Sequence, residues 1–379
     1  MDNDEPVRSY DNPYNYLRSE YSRLNSKKDI LKHRDLVDCF ESLKDLYGDK
    51  ESELFESDKI LFKKLKKMES ASTLPIAEQE KATFCLLNRH SENIVEIIKK
   101  NNLYVPSKIV LGTLPMNTLD ALTYSFSEDE ILVSLNQGLF TFLYLMGRAV
   151  SSFFKTTYSG INKRKLELNI NLNVIAENLK SNTKGNSEFL EALILYFVDK
   201  NFDDSKTYFE QDKKIPISCC LWDNAECFVV AHEYGHIIAE NISPKKDISR
   251  KPSDEESRLY EIVSNWNDEF EADQIALEII LQNKDEVGLG VFGNYLGVEF
   301  LFACLDIIER IDNEDSKIEF SETHPPAKSR INNLRNHLKN DYPSEADNLL
   351  SWSSPVSYIL NELWDRNKDD FYKRYKLIK

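Results

Sequence analysis

Five consecutive residues, His232-Glu233-Tyr234-Gly235-His236, carry the most concentrated chemistry in the chain. Two histidines four apart share one face of a helix, about one turn from each other. Both imidazoles can then hold one metal ion from the same side, and zinc is the ion expected. Glu233, beside the first histidine, tilts toward the open side of the ion, where it can take a proton from water. The chain has only 6 histidines, so chance gives this arrangement in about one chain per hundred. The competing account is a buried helix that happens to carry two histidines.

The helix itself rests on local signals. The motif lies in an apolar run, Cys227 to Ala231 before it and Ile237 to Ala239 after it. Asp223 followed by Glu226 reads as a capping box opening the helix, and Pro244 follows its expected end at Asn241. Gly235 costs a helix roughly 1 kcal/mol against alanine. One account of that cost is another element passing close beneath the metal helix; the other is that the glycine is simply tolerated.

A third ligand is needed, and Asn267 to Ala276 offers one. Glu269 and Asp273 are spaced i and i+4, so they share a face of a helix that continues into Leu277 to Leu281. A carboxylate on an otherwise apolar helix is costly unless it is paired or metal-bound. Glu269 as ligand and Asp273 as acceptor from a ligand histidine would satisfy both. The alternative is a solvated acidic face, since Glu271 and Glu278 are acidic too.

These two segments, H-E-x-x-H and E-x-x-A-D, resemble the gluzincin metallopeptidases of the HtpX and CAAX-prenyl-protease type. The resemblance implies a zincin-like core with zinc on His232, His236 and Glu269, and Asp273 orienting a histidine. Thr323-His324-Pro325-Pro326-Ala327-Lys328-Ser329-Arg330-Ile331 is similar to the family's H-P-P-x-x-x-R-I segment. Pro115-Met116-Asn117 and Glu130 to Leu139 are similar to its edge strand, which ends in an N-x-G-L turn. The likeness spans roughly residues 103 to 340, with the four motifs in the same order. Typical members carry transmembrane helices, whereas this chain shows no run of about 20 clean apolar residues. Arg148 interrupts Leu139 to Phe154, and Asn294, Glu299 and Asp306 interrupt Val287 to Ile311. The Lit-type phage-exclusion peptidases are therefore the nearer comparison.

The elements around the motifs must position them. Val105 to Thr113, Ala121 to Phe126 and Glu130 to Asn136 read as short strands, the last two joined by a hairpin. Ile131, Val133 and Leu135 alternate with Leu132 and Ser134, as in a half-buried strand. A small antiparallel sheet beside the metal helix would give an extended peptide an edge to pair with, placing Ser134 and Asn136 at the substrate. Helices are expected at Ile76 to Lys100 (broken or bent near Asn88), from Leu139 onward, at Leu166 to Leu179 and at Phe189 to Phe197. Gly288, Gly290, Gly293 and Gly297 read as a loop entering a core helix that packs closely on the metal helices. A membrane GxxxG dimer is the sharper alternative. Ser181 to Asn186, Asp199 to Lys214, Pro244 to Ser257 and Asp312 to Glu322 read as loops.

His324 admits three roles: stabilising an oxyanion, reaching the metal to block the open position, or structural, with Arg330 pairing Asp273 or a helix end. Two prolines after it would stiffen its loop.

Composition bounds the rest. With 48 basic against 64 acidic residues, the net charge is −16 and the pI near 5.0. Such a surface repels phosphate backbones, so nucleic acid is a poor partner. Hydrophobic content of 41% supports a folded core. Six cysteines without a C-x-x-C pair fit small buried residues in a reducing compartment. The acidic amino terminus lacks an apolar secretory region, so a cytoplasmic location is expected.

The expected architecture is α+β and mostly helical. It comprises an amino-terminal helical region (1–75), a metallopeptidase domain (76–340) with active-site helix and small sheet, and a carboxy-terminal helical tail (341–379). The expected activity is zinc-dependent hydrolysis of a protein or peptide substrate with Glu233 as general base, and no membrane span. The second reading is a normally closed regulatory or phage-defence effector. It would act through a partner that binds the amino-terminal region, with peptidase activity only on a trigger. A metal-stabilised domain without turnover is the third. Glu233 argues against it, because a structural site needs no base beside an open position.

Overall fold

The computed structural model describes residues 12–26, 74, 76, 79, 81–127, 129–159, 165–199, 215–242, 254–283, 289–316 and 324–377. The helical reading of 27–67 and most of the loops expected at 199–214 and 244–257 lie outside them. Among the described residues the fold is mostly helical α+β, as expected.

Helix α1 (Pro13–Ser26) presents Leu17, Tyr21 and Leu24 at helical spacing, all buried. They pack on a three-stranded sheet of β1 (Lys108–Leu114), β2 (Ala121–Ser127) and β3 (Glu130–Asn136). Tyr21 donates its hydroxyl proton to the Thr113 carbonyl at 2.7 Å. Leu17 presses so closely on β1 that a Cβ at Gly112 would stand 2.6 Å from it.

Two expectations about this sheet are corrected. The strand order is β1-β3-β2, with β1 parallel and β2 antiparallel to β3. The sheet is therefore mixed, and β3 is its central strand rather than its edge. The reason is burial on both faces: Ile131, Val133 and Leu135 enter the main core while Leu132 enters the core under α1. A strand buried on both sides belongs between neighbours. The half-exposed β2 takes the edge.

Helix α2 (Lys81–Lys100) runs unbroken through Asn88, where a break or bend was expected. The Asn88 amide donates to Glu92 Oε1 at 2.8 Å, an i,i+4 pair on the exposed face that supports the helix. β3 passes directly into α3 (Gln137–Ser151). Gly138 makes that passage fit: its N–H donates to the Met116 carbonyl at 2.8 Å, and a Cβ would stand 2.7 Å from the Asn117 carbonyl carbon.

The helix expected from Leu166 starts only at α4 (Leu172–Ser181). Before it, β4 (Lys155–Ser159) and β5 (Lys165–Asn169) form an antiparallel pair. The Asn171 side chain accepts from the Asn173 N–H at 2.9 Å and so fixes the start of α4. The loop expected at 181–186 reduces to one residue: Asn182 ends α4 and caps α5 (Thr183–Ile194), accepting from the Gly185 N–H at 3.0 Å. One π-helical turn, Leu195–Asp199, follows.

Five long helices complete the core: α6 (Ile215–Ile242), α7 (Asp254–Leu281), α8 (Val291–Ser316), α9 (Ala327–Asp341) and α10 (Pro343–Lys376). α6 is buried on several sides through Leu221, Ala225, Phe228, Ala231 and Ile238. It begins eight residues before Asp223, so the expected capping box is corrected: Asp223 and Glu226 lie within the helix. α8 crosses α6 where Gly297 meets Asn224, a Cβ there standing 2.4 Å from that of Asn224. Val291–Glu314 is the one helix among the described residues long and apolar enough to cross a membrane, and 72% of its apolar window is buried against the protein. Its one deeply buried acid, Glu299, receives Arg335 at 2.9 and 2.7 Å and the Tyr295 hydroxyl at 2.9 Å, which ties α8 to α9.

Candidate active site

Helices α6 and α7 meet where Gly235 faces Ala272. A Cβ on Gly235 would stand 2.5 Å from the Ala272 carbonyl oxygen and 2.9 Å from its Cα. This close approach is the first of the two accounts of a glycine inside an apolar helix. It brings the His232/His236 face of α6 against the Glu269/Asp273 face of α7.

The three expected metal-binding side chains converge there. His232 Nε2 lies 3.1 Å from His236 Nε2 and 3.4 Å from Glu269 Oε2, and His236 Nε2 lies 3.3 Å from Glu269 Oε1. Ligands about 2.0–2.1 Å from a tetrahedral ion are separated by roughly 3.3–3.4 Å, so these spacings suit a single metal ion. Glu269 Oε2 is buried without a hydrogen-bond donor, although Arg330 Nη1 lies 3.4 Å away. The donor set of two imidazoles and one carboxylate fits a divalent ion.

The partners behind these residues fix their orientation. Asp273 Oδ1 lies 2.9 Å from His232 Nδ1. That contact places a proton on Nδ1 and turns the Nε2 lone pair toward Glu269 and His236. Arg330 binds Asp273 with both arms, Nε to Oδ2 at 2.7 Å and Nη2 to Oδ1 at 2.6 Å. Its guanidinium also lies over the Phe302 ring, 5.3 Å from the centroid. Burial opposes ionisation of both carboxylates, but His232, His236 and Arg330 outweigh it at Glu269, and Arg330 and His232 outweigh it at Asp273. Both are held below the ordinary carboxylate range. Burial also opposes the charge on His232, yet Asp273 and Glu269 raise it to about 9.

Arg330 is delivered by α9. Ala327 is the first residue of that helix, so its N–H has no intrahelical partner, and Glu309 of α8 accepts it at 2.9 and 3.0 Å. Gln274 to Asn333 at 2.9 Å adds a second α7–α9 tie. Of the arrangements open for this segment, the pairing of Arg330 with Asp273 is present. His324 lies at the mouth, its side chain 62% exposed and its Nδ1 3.9 Å from Glu269 Oε1.

Glu233 is buried on the sheet side of α6. Its Oε2 accepts a hydrogen bond from Thr123 Oγ1 of β2 at 2.7 Å. Sequence reasoning missed Thr123, although β2 carries a readable signal: Thr123, Ser125 and Ser127 alternate with Leu122, Tyr124 and Phe126. The pair expected at the substrate is corrected. Ser134 and Asn136 sit on central β3 at 3% and 4% exposure, and Asn136 donates to Thr118 Oγ1 at 2.7 Å, holding the turn before β2. Among the described residues, β1 and β2 are the two outer strands of this sheet, and β2 is the one that reaches Glu233. Tyr234, between the two histidines, points away: it is buried, and its hydroxyl lies 2.6 Å from Ser91 Oγ on α2.

A second acid–histidine group lies further back on α6, where His90 Nε2 is 3.6 Å from both Asp223 Oδ1 and Glu226 Oε2. Arg89 already binds Asp223 there and comes within 3.4 Å of His90 Nε2. Its guanidinium supplies the cation this cluster needs. Burial, followed by the charge of Asp223, pushes the Glu226 carboxyl well up.

A family model described as Peptidase U49 matches residues 197–350. That span holds α6 through α9 and all of the converging side chains except Thr123. The match supports a peptidase. No curated protein and no solved structure matches the chain.

Proposed function

We propose that the chain is a zinc-dependent endopeptidase of the Lit type acting on a protein substrate. The observation that carries this reading is the triangle of His232, His236 and Glu269 donor atoms, with sides of 3.1, 3.4 and 3.3 Å, with Glu233 next to His232 in the same helix. Zinc, when bound by these three side chains, supplies Lewis-acid polarisation of water and of the scissile carbonyl.

The chain's own residues do the rest. Asp273 holds the His232 ring so that Nε2 faces the centre, and Arg330 holds Asp273. Glu233 takes a proton from the attacking water and returns it to the departing amine. An extended peptide pairs by backbone hydrogen bonds with the open edge of β2, which runs past Glu233. His324, at the mouth, is the side chain best placed to donate to the carbonyl oxygen as charge develops on it.

The test compares new protein amino termini in cells expressing wild type or Glu233→Gln, with zinc content measured on both purified proteins. New termini with wild type alone, at equal zinc, support the reading and identify the substrate. Identical termini at equal zinc would overturn it.

A further inference from the structure

We propose that Thr123 is a positioning residue for Glu233, so that the strand offered to substrate also aims the general base. The proposal rests on the peptidase reading above and extends it to a residue outside the Peptidase U49 match.

The argument begins with the two oxygens of Glu233. A base that shuttles one proton between water and amine needs one oxygen facing the reacting groups and a fixed rotamer. A glutamate has three side-chain torsions, and burial alone does not select among their combinations. Thr123 Oγ1 donates to Oε2 at 2.7 Å, and the same hydroxyl lies 3.5 Å from the Glu233 carbonyl. The hydrogen bond occupies Oε2 and leaves Oε1 for the proton.

The strand limits where Thr123 can go. Thr123 pairs with Val133 of buried β3, and threonine is stiff at χ1. The neighbouring residue Tyr124 points to the opposite face, where its hydroxyl lies 3.1 Å from that of Tyr16 on α1. Thr123 is thus anchored on one side by β3 while the other edge of β2 is open. A peptide pairing along that edge would hold the backbone carrying the Thr123 hydroxyl. Substrate binding and the aim of the base then share one element.

The experiment uses the full chain loaded with one equivalent of zinc and a proteome-derived peptide library. New amino termini are read by mass spectrometry, and kcat and KM are then measured on the fastest-cleaved peptide. Thr123→Val keeps shape and strand preference but removes the donor. A hydrogen bond to a charged group predicts a kcat lower by about 10- to 100-fold, with KM within about twofold. Thr123→Ser restores the hydroxyl and returns kcat toward wild type. Zinc content stays at its wild-type value in both, while the unfolding midpoint falls in Thr123→Val, which leaves the buried Glu233 carboxylate one donor short, and recovers in Thr123→Ser. A purely packing role would instead leave Thr123→Ser no better than Thr123→Val. That pattern, or full kcat in Thr123→Val, overturns the proposal while the peptidase reading stands. If wild type and Glu233→Gln give the same termini from the library, the peptidase reading falls and this proposal falls with it.

Discussion

Gly235 and Ala272 touch backbone to backbone, and that contact sets the spacing of the two helices that carry the metal-binding side chains. A methyl group on Gly235 would stand 2.5 Å from a carbonyl oxygen and 2.9 Å from a Cα. Neither is the movable end of a side chain. Gly235→Ala improves helix propensity by about 1 kcal/mol, but overpacking costs about 1–3 kcal/mol and more where backbone must move. The net expectation is a loss of stability together with weaker zinc binding, because α7 moves away from the histidines. Thermal unfolding and a zinc titration check it. A variant with wild-type zinc affinity would show that this contact does not set the helix spacing.

Arg330 neutralises Asp273 through two hydrogen bonds; Asp273 is fully buried and the Arg330 side chain is 11% exposed. Removing one partner of such a pair costs about 3–5 kcal/mol, less here by what the His232 imidazole still offers Asp273. Arg330→Met is therefore expected to unfold at lower temperature. The loss should be smaller with zinc than without, since a divalent ion on Glu269 and His232 offsets part of the unpaired charge. Arg330→Lys restores charge but not the two-armed geometry and should fall between. Equal losses with and without zinc would detach Arg330 from the metal centre.

How much of this was legible follows from which residues are local. His232 and His236 are four apart, as are Glu269 and Asp273, so helical period alone put each pair on one face, with Glu233 about a quarter-turn to the side of the first. Gly235 announced a close neighbour because its cost needed a reason. What sequence could not give was which strand lies in the middle. β3 and β2 are both short and joined by one tight turn, and only tertiary burial on two faces sends β3 inward. Ser134 and Asn136 therefore went to the wrong place, and Thr123 was overlooked. Asp223 and Glu226 misled for a related reason. An acid followed three residues later by a glutamate is a capping pattern locally, but Arg89 and His90, more than 130 residues earlier in the chain, make it a buried ionic contact.

Metal removal separates the two acid–histidine groups. Ligand that binds only the folded state stabilises it by about 2.7 kcal/mol at a hundred times its dissociation constant. Chelation should therefore lower the unfolding midpoint of wild type, and zinc should restore it. His236→Ala is expected to abolish that zinc-dependent increment. His90→Ala should keep it whatever its own effect on the midpoint, because Arg89 serves the second group. Loss of the increment in His90→Ala, or its survival in His236→Ala, would reverse the assignment.

Glu226 gives the stability a pH dependence of predictable sign. Its carboxyl is pushed well above the ordinary 4.5, by burial first and then by Asp223, with Arg89 pulling the other way. His90 Nε2, 3.6 Å from Oε2, faces it from α2. Above pH 4.5 the unfolded chain releases this proton while the folded chain keeps it, so the native state binds more protons and this group's contribution falls as pH rises. Each pH unit in that window removes up to about 1.4 kcal/mol. Glu226→Gln resembles the protonated form and escapes the loss. Its stability relative to wild type should rise steadily above pH 4.5 and level off below it. Denaturant unfolding at a series of pH values measures this, repeated in a His90→Asn background to remove the facing imidazole. A flat difference in both backgrounds would mean that Glu226 is ionised inside the fold and held by Arg89.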